Sequence, residues 1–344
     1  MTDRTGKPTV RDVSAYARVS IGTVSRYLNG HTLRDETRRR VEAALTATGY
    51  KAPSSLGRPQ KVQTRTIGVI FPQYDEFHVS VIQALDKILS RESYHMVTCE
   101  YEGNEDQLKE KFRLLRDIYA DGIICSALPN DYNVNRDIIN FGIPVVSFNN
   151  KIESWRCDHV SVDDRAAVQR AVEYCIDLGH ESIALIGGPT RSSTGYERVQ
   201  GYRNAIVHAG IQERAELLMI DDWGLSEHHA YDAVGRLLVL DHPPTAVIAG
   251  HSQVGVGVLR HLREARVQIP HDISLVCFDD TRLFQLFNPP ITVIRQPAAV
   301  IAAETAALLF RRMEGDTADG PVSRIINTEL ILRDSVRRII RRRS

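Results

Sequence analysis

Apolar residues recur at helical spacing through the first fifty positions of the chain. The positions concerned are Val10, Val13, Ala17, Val19, Val24, Tyr27, Leu28, Val41, Ala44 and Leu45. This spacing predicts three short helices, at about 9–16, 20–28 and 35–48. Ser20 and Asp35 are suited to cap the second and third helices, because their short polar side chains can accept hydrogen bonds from free backbone N–H groups.

Beyond residue 66 the pattern changes to short apolar runs of strand type, most of them separated by stretches with helical spacing. We predict strands at 67–71, 96–100, 122–126, 144–148, 182–187, 217–221, 245–249 and 273–278, with a last one at about 324–332. Such alternation is typical of parallel sheets covered by helices, and about nine strands are too many for one small unit. The predicted fold is therefore an α/β core of two doubly wound parallel-sheet lobes that follows an all-α N-terminal region.

Residues 51–65, KAPSSLGRPQKVQTR, are rich in Pro, Gly, Ser and basic side chains, which predicts a linker. The predicted domains are accordingly an N-terminal helical headpiece (1–50), a hinge (51–65) and a core (66–344). Within the core we expect lobe 1 at about 66–162 and 293–323, and lobe 2 at about 163–292 and 324–335. The crossing back to lobe 1 is expected near 292–296, before a helix at 297–313.

Charge is distributed unevenly along a chain whose formal net charge is zero. Residues 1–66 contain 13 Lys and Arg against 5 Asp and Glu, and the remainder has an equal excess of acidic residues. Cations near a nucleic-acid backbone supply non-specific affinity, so the basic N-terminal region is the candidate for phosphate contact.

Residues 9–29, TVRDVSAYARVSIGTVSRYLN, have the pattern of a helix-turn-helix, in which the second helix can lie in the major groove of DNA. Arg26 could donate two hydrogen bonds to guanine, and Ile21 and the Thr23 methyl group could contact thymine methyls. Short polar side chains nearby suit phosphate contacts. The candidate DNA-binding residues in this segment are Ser20, Ile21, Gly22, Thr23, Ser25, Arg26 and Asn29.

The segments DVSAYARVSIGTVSRYLN and TRRRVEAALTATGY resemble the headpiece of the lactose-repressor/galactose-repressor (LacI/GalR) family of bacterial transcriptional regulators. The resemblance covers almost the whole chain, and it continues in IGVIFP (67–72), DLGHESIALIGGP (177–189), RVQGYRNA (198–205), PTAVIAG (244–250), ISLVCFDD (273–280) and NPPITVIRQP (288–297). It implies a periplasmic-binding-protein-like core in a homodimeric repressor that binds a pseudo-palindromic operator. The family also implies that a sugar or sugar phosphate between the core lobes controls DNA affinity.

Two headpiece positions depart from the family pattern. Arg18 replaces the usual turn glycine, and we expect it to adopt a left-handed conformation at a cost of about 1 kcal/mol. Ser14 replaces a small alanine, and we expect its hydroxyl to bond back to a carbonyl of its own helix.

The hinge departs further from the family pattern. Family members typically fold a short helix here and insert a leucine between base pairs in the minor groove, which kinks the site. In this chain Gly57 weakens such a helix, Pro59 stands where that leucine would be, and Leu56 is the nearby apolar wedge. We therefore predict that Arg58 and Lys61 contact the minor groove or phosphates as an extended arm. Leu56 and Arg58 join the candidate DNA-binding residues.

The resemblance places the effector where the carboxyl ends of the strands of both lobes face each other. The corresponding residues are Ser126, Asn149, Arg198, Trp223, His251, Asp279 and Gln296. Arg198 and Asp279 can bind adjacent hydroxyls of a polyol, and Trp223 offers a flat apolar face to a sugar ring. His251 and Ser252 replace the usual Asn-Asp, and this loss of a carboxylate favours a phosphorylated or otherwise acidic effector.

An enzyme is disfavoured by the motifs. GHSQVG (250–255) resembles a nucleophile elbow, but that motif requires glycine at Val254, and no histidine follows His271 to complete the order Ser, acid, His. No GxxxxGK[ST] phosphate loop occurs, and the five widely spaced cysteines form no CxxC pair. We expect no catalytic activity, no cofactor and no metal site.

Two other classes of protein share part of this pattern. A transporter's solute-binding protein would need an export signal and no headpiece; the opposite is found here, so we expect a cytoplasmic location. A regulator whose core only dimerises, without an effector, remains open. The segment after the last predicted strand is too short for a tetramerising coiled coil, so we expect a dimer.

Overall fold

The computed structural model describes residues 8–28, 33–48, 50, 64–126, 142–151, 157–221, 226–315 and 320–339. The chain divides into two compact units, Met1–Thr64 and Arg65–Ser344, each of which is described by itself. Four predicted binding residues lie outside the described residues: Asn29, Leu56, Arg58 and Trp223. The predicted hinge arm with Lys61 also lies outside them.

The N-terminal unit contains the three predicted helices. They are α1 (Val10–Ala17), α2 (Ile21–Leu28) and α3 (Asp35–Thr48). Their shared core is formed by Val13, Ala17, Val24, Val41 and Ala44, all of which are buried. Asp35 is the first residue of α3 rather than its cap, so that capping prediction was wrong by one position. Its carboxylate still lies in the first turn, where the helix dipole favours negative charge.

The turn between α1 and α2 contains the two unusual residues of the headpiece. Arg18 has φ 52° and ψ 49°, which confirms the expected left-handed conformation. The hydroxyl of Ser14 donates to the carbonyl of Val19 at 2.8 Å, across the turn rather than within its own helix as predicted. Arg40 of α3 donates to the carbonyls of Ala17 and Arg18 at 2.7 and 2.9 Å. These bonds hold the turn against α3 and satisfy carbonyls at the end of α1.

The first lobe of the core is a six-stranded parallel sheet in the order β11-β5-β4-β3-β1-β2. Its strands are β1 (Thr66–Phe71), β2 (His95–Glu100), β3 (Gly122–Cys125), β4 (Val145–Phe148), β5 (Asp158–Val162) and β11 (Ser323–Ile326). Helices α4 (Glu76–Arg91) and α11 (Ala298–Met313) pack on one face of the sheet, and α5 (Glu105–Asp117) packs on the other. Burial on both faces explains why β1 and β3 are continuous apolar runs.

The second lobe repeats this arrangement in the order β12-β10-β9-β8-β6-β7. Its strands are β6 (Ile183–Gly187), β7 (Leu218–Ile220), β8 (Ala246–Ala249), β9 (Ser274–Phe278), β10 (Thr292–Arg295) and β12 (Glu329–Ile331). Its helices are α6 (Asp164–Asp177), α7 (Ser193–His208), α8 (Glu227–Leu238), α9 (Ser252–Glu264) and α10 (Arg282–Leu286), with a 3-10 turn at Ala215–Leu217. β12 runs antiparallel to β10, and the other pairs are parallel.

The observed fold confirms the predicted fold class, while some strand and lobe boundaries need correction. β5 and β10 were not predicted, and the last predicted strand is two strands, β11 and β12, in different sheets. The chain crosses back to the first lobe after β10, as predicted for 292–296. The predicted lobe bounds need correction, because β10 belongs to the second lobe and β11 to the first, whereas 293–323 was predicted in the first lobe and 324–335 in the second. Periodicity indicates an extended segment but carries no information about which sheet it joins, so it could not separate β11 from β12. The other eight predicted strands, β1–β4 and β6–β9, agree with their predicted bounds to within one residue.

None of the helices among the described residues is long and apolar enough to cross a membrane. Across the same residues no cluster of three or more His, Cys, Asp or Glu side chains is arranged to hold a metal ion.

Candidate DNA-binding surface and interlobe site

Helix α2 has one face in the headpiece core and another in solvent. Val24 is fully buried, whereas Ile21 is 48% exposed. Gly22 and Arg26 are exposed, and Thr23 and Ser25 are half-buried. An exposed isoleucine and an exposed arginine on one helix suit contact with thymine methyls and guanine edges in the major groove.

Hydrogen bonds hold the start of α2 in place. The backbone N–H of Thr23 donates to Ser20 Oγ at 3.1 Å, which confirms Ser20 as the helix cap. The two hydroxyls of Ser20 and Thr23 lie 2.8 Å apart. Arg26 Nε donates to the carbonyl of Gly22 at 3.4 Å, along the exposed side of the helix. The predicted DNA-binding residues of α2 are thus brought onto one capped, presented helix.

Contacts from α3 fix the orientation of α2. The hydroxyl of Tyr27 donates to Glu42 Oε1 at 3.0 Å, and Glu42 lies 3.6 Å from Arg38 Nε. Burial and the hydrogen bond to Glu42 raise the pKa of Tyr27, so the hydroxyl stays protonated as a donor. The presented face of α2 is therefore set by both apolar packing and a polar contact.

In the first lobe, Ser126 lies fully buried at the end of β3 as part of a polar chain that the sequence analysis did not predict. Its hydroxyl is 3.0 Å from His78 Nε2, and His78 Nδ1 is 2.9 Å from Asp75 Oδ2. Asp75 also caps α4 by accepting the backbone N–H of His78 at 2.8 Å. Burial by itself would raise the pKa of Asp75, but the hydrogen bond and charge of His78 outweigh it and lower the pKa to about 2.

In the second lobe, Arg198 is buried in a fixed position. Its Nε donates to Asp164 Oδ1 at 2.7 Å, and its Nη1 donates to the carbonyl of Gly250 at 2.6 Å. The guanidinium lies 3.6 Å from the ring centroid of Phe278. Burial raises the pKa of Asp164 in spite of its pairing with Arg198. This cation is thus held at a strand end by three different contacts.

Asp279 and Gln296 form a second buried pair in the same lobe. Gln296 Nε2 donates to Asp279 Oδ1 at 2.7 Å, and the N–H of Ser252 is 3.4 Å from Asp279 Oδ2. Asp279 has φ 72°, a left-handed conformation that turns the chain just after β9. Gln296 Oε1 is buried without a hydrogen-bond partner among the described residues. An unsatisfied buried acceptor is costly, which makes this atom a ready position for a ligand donor.

His251 of the second lobe lies close to a carboxylate of the first lobe. Its Nδ1 accepts the backbone N–H of Gln253 at 3.2 Å, so the proton of the neutral ring lies on Nε2. That nitrogen is 3.8 Å from Asp75 Oδ2 in the other lobe. Burial lowers the pKa of His251, and the carboxylates of Asp279 and Asp75 oppose this. At 3.8 Å the two atoms approach each other across the lobes without forming a hydrogen bond.

A cavity of about 770 Å³ opens near the crossing between the lobes. It is lined by Asn149, Lys151, Ser161, Val162, Asp163, Asp164, Arg165, Ala166, Gln169, Thr190, Arg191, Ser192, Ser193, Tyr196, Glu197 and Ile325. Asn149 is the predicted effector residue that lines it. Ser126, Arg198, His251, Asp279 and Gln296 instead belong to the buried polar contacts described above.

The sequence analysis missed three polar residues of this region: Asp75, His78 and Asp164. A usable signal existed for two of them, since Asp75 and His78 follow β1 directly and are spaced to share the first turn of a helix. The side chain of Asp164 depends on Arg198, 34 residues away along the chain, which no local pattern predicts.

Comparisons with known proteins agree with this architecture. The family model for bacterial regulatory proteins of the lacI family matches residues 9–53. The family model for a periplasmic binding protein-like domain matches residues 172–336. The HTH-type transcriptional repressor CytR of Escherichia coli (strain K12) is 32% identical over 334 residues, which cover 96% of both chains. The HTH-type transcriptional repressor PurR of Vibrio campbellii is 28% identical over 340 residues, which cover 96% of this chain and 99% of that one.

Among solved structures, the complex of the transcriptional regulator CelR with cellobiose superposes with a TM-score of 0.72. It is 27% identical, and the match covers 96% of this chain and 100% of that chain.

A capped helix-turn-helix in one chain with a two-lobed α/β core defines a DNA-binding transcriptional regulator of the ligand-controlled type. The chain belongs to the LacI family of bacterial regulatory proteins, because the similarity to a member at 32% identity extends over both the helical and the α/β parts.

Proposed function

We propose that this regulator is a repressor that binds a pseudo-palindromic operator as a homodimer, with α2 of each protomer in the major groove. The observation that carries the proposal is the exposure of Ile21 and Arg26 on a helix that buried Val24 anchors in the headpiece core. One helix-turn-helix reads too few base pairs for selectivity, which favours a symmetric dimer. Because the operator is bacterial DNA, we propose that the regulator acts in the cytoplasm. We also propose that it has no catalytic activity.

Individual roles follow from the geometry of α2. Arg26 would exchange its weak 3.4 Å bond to Gly22 for two bonds to guanine. The hydroxyl of Thr23 is engaged by Ser20, which leaves its methyl group for thymine. Ser20, Ser25 and Asn29 would contact phosphates. From the hinge, Arg58 would contact the minor groove or phosphates, and Leu56 is the apolar side chain available as a wedge.

The experiment that tests this function is selection of bound duplexes from a randomised pool with the full-length chain. We expect enrichment of a two-fold symmetric sequence. Arg26→Ala should weaken binding to that sequence by about 1–3 kcal/mol and relax the preference at one base pair of each half-site. The matched control is Arg113→Ala, which removes an exposed cation from α5 in the core. Equal, weak and salt-sensitive binding to every duplex in the pool would overturn the proposal.

The core is proposed to bind a small hydroxylated effector, a sugar or sugar phosphate, between its lobes. Arg198, Asp279 and Gln296 would provide charged and polar groups for hydroxyls, with Ser126, Asn149, Trp223 and His251 as further contacts. The similar regulator whose solved structure is a complex with cellobiose supports a carbohydrate-type ligand. We propose that headpiece 1–50, hinge 51–65 and core 66–344 are the functional divisions of the chain.

The alternative is a core that only dimerises and binds no effector. One observation favours it: Arg198 and Asp279 already have partners within the chain. The two functions are separated by titrating paired sugars and sugar phosphates into the full-length protein bound to its selected operator. An effector-controlled regulator changes its operator affinity with at least one of them, and the change should be reduced in Asp279→Asn. A core without an effector leaves operator affinity unchanged by all of them.

A further inference from the structure

Three buried residues of the first lobe form a hydrogen-bonded chain with a definite direction. Asp75 Oδ2 lies 2.9 Å from His78 Nδ1, and His78 Nε2 lies 3.0 Å from Ser126 Oγ. The pKa of Asp75 is held at about 2, so at neutral pH its carboxylate only accepts, and His78 Nδ1 carries the ring proton. Nε2 of the neutral ring then accepts the hydroxyl proton of Ser126. Only lone pairs remain on Ser126 Oγ, so this atom is left as a hydrogen-bond acceptor.

Aromatic side chains enclose the histidine of this chain. The ring centroid of His78 lies 5.3 Å from that of Phe77, 6.0 Å from that of Phe148 and 6.1 Å from that of Phe71. Hydrogen bonds in such apolar surroundings are strengthened by the low local dielectric. The same surroundings suit the ring of His78→Phe, so the hydrogen bonds of this histidine can be removed while an aromatic ring is kept.

A second acceptor of fixed direction follows β10 in the second lobe. Gln296 Nε2 donates to Asp279 Oδ1 at 2.7 Å, and this fixes the amide, because the reversed orientation would place two acceptors against each other. Gln296 Oε1 is buried and has no hydrogen-bond partner in the described part of the chain. Ser126 follows β3, so both acceptors lie at the carboxyl ends of parallel strands, where sheets of this kind bind ligands.

Negative charge exceeds positive charge around His251, where the lobes approach each other. The charges that act on it most strongly among the described residues are those of Asp279, Asp75 and Arg198. Arg198 is already paired with Asp164 at 2.7 Å. The sequence analysis favoured an acidic effector because a carboxylate is absent after β8, but Asp75 Oδ2, 3.8 Å from His251 Nε2, brings a negative charge from the other lobe. This arrangement disfavours an anionic ligand.

We propose that Asp75 and His78 are positioning residues of the effector site, which hold Ser126 as a hydrogen-bond acceptor. Together with Gln296, this acceptor selects an uncharged effector whose hydroxyls donate to both atoms. The inference rests on the proposed effector function of the core and narrows the effector to an uncharged sugar. A hydroxyl can donate to these acceptors and also accept from Arg198, whereas the oxygens of an ionised phosphate or carboxylate only accept. An anionic group there would leave the buried acceptors unpaired and would meet two carboxylates.

Nitrogen NMR of the full-length protein with isotope-labelled histidines tests the direction of the chain without any ligand. We expect His78 at neutral pH to be the neutral tautomer with its proton on Nδ1. Its signals are assigned by their loss in His78→Phe or His78→Gln. A proton on Nε2, in a neutral or a charged ring, would overturn the inference, because the hydroxyl of Ser126 would then be free to donate.

Titration calorimetry of the full-length protein at constant ionic strength tests the selectivity. The probes are D-glucose, D-ribose, cellobiose and adenosine, each compared with its phosphate monoester. We expect saturable binding of at least one uncharged probe, with an affinity at least about 10-fold higher than that of its ester. Absence of binding by every uncharged probe, or an ester that binds as tightly as its uncharged partner, would overturn the inference.

Substitutions in the chain separate positioning from a merely structural role. Ser126→Ala should weaken binding of the uncharged probe about 10-fold, and His78→Phe should lower the preference for it over its ester about 10-fold, since Ser126 could then donate to phosphate. In the Ser126→Ala background His78→Phe should have no further effect, because His78 acts through Ser126. Ser80→Ala, which removes an exposed hydroxyl from the same helix, should bind as the natural chain does. Additive effects of the two substitutions would contradict the positioning role.

Operator affinity is measured on the same preparations, which separates this inference from the proposed function. If a phosphate ester binds more tightly than its uncharged partner and changes operator affinity, the inference fails and the proposed effector function stands. If no probe binds or changes operator affinity while the chain still selects an operator, the inference and the effector function fail together, and the core that only dimerises is favoured.

Discussion

At the residue scale, burial competes with hydrogen bonds and neighbouring charges to set the pKa of ionisable side chains. Asp164 is paired with Arg198, yet its pKa is raised because burial disfavours the charged carboxylate. Asp75 is held at a low pKa because its several donors outweigh the cost of burial. The same type of side chain thus behaves in opposite ways at two ends of one interlobe region.

His159 makes the stability of the core depend on pH in a definite direction. Burial lowers its pKa from 6.5 to about 4, so the folded chain binds fewer protons than the unfolded chain between these values. The contribution of His159 to the free energy of unfolding is therefore fully present above pH 6.5. It is lost as the pH falls toward 4, by about 3 kcal/mol.

This dependence is measured by urea unfolding of the full-length protein at a series of pH values. In His159→Gln the free energy of unfolding should fall less between pH 6.5 and 4 than in the natural chain, since the neutral amide does not titrate. His271→Gln is the matched control, because His271 is exposed. Parallel curves for His159→Gln and the natural chain would contradict the prediction.

At the element scale, close helix packing depends on glycines without space for a side chain. A Cβ added at Gly257 on α9 would lie 2.1 Å from the carbonyl oxygen of Glu227 at the start of α8. Backbone cannot move aside as a flexible side chain can, so the two helices would have to separate.

Gly257→Ala is therefore expected to destabilise the core by about 1–3 kcal/mol or more, in spite of the better helix propensity of alanine. Thermal unfolding of the full-length chain measures this change. Gly320→Ala provides the control, because a Cβ there meets no atom within 4 Å. An unchanged melting temperature for Gly257→Ala would show that α8 and α9 are not packed as described.

Sequence patterns predicted the individual helices and strands better than the way in which these elements assemble into sheets. Apolar runs predicted β1, β3, β6, β8 and β9 to within one residue, because a buried parallel strand needs few polar positions. β5 was missed because its sequence, DHVSV, carries Asp158 and His159, which form hydrogen bonds with residues distant in the chain: Asp158 with Arg312, and His159 Nδ1 with Ser147. Those partners become neighbours only in the folded sheet.

At the scale of the whole molecule, charge is separated between a basic N-terminal region and an acidic remainder while the total is zero. Association with DNA responds to the charge near the phosphates rather than to the sum over the chain. An overall neutral protein should therefore behave as a strongly cationic one when it binds DNA.

Operator affinity of the full-length chain is accordingly expected to fall by on the order of 10³ between about 50 and 200 mM salt, as for a protein with six or more phosphate contacts. Fluorescence anisotropy over a salt series measures the slope, and Arg113→Ala, outside the basic region, should leave that slope unchanged. A shallow dependence would mean that few of the basic residues in 1–66 contact the backbone.

What the sequence by itself determined is local: three headpiece helices, the left-handed turn at Arg18, an α/β core of two lobes and the surface residues of α2. The helices and the surface residues of α2 depend on propensity, periodicity and caps, which act over a few neighbouring residues. The turn at Arg18 was expected from the family's glycine at that position, and the two lobes from the number of predicted strands. The tertiary structure alone decided which sheet each late strand joins, that Arg198 is held by Asp164, and that Lys151 and Arg191 line one cavity. Those contacts join residues far apart in the chain, and only folding brings them within bonding distance.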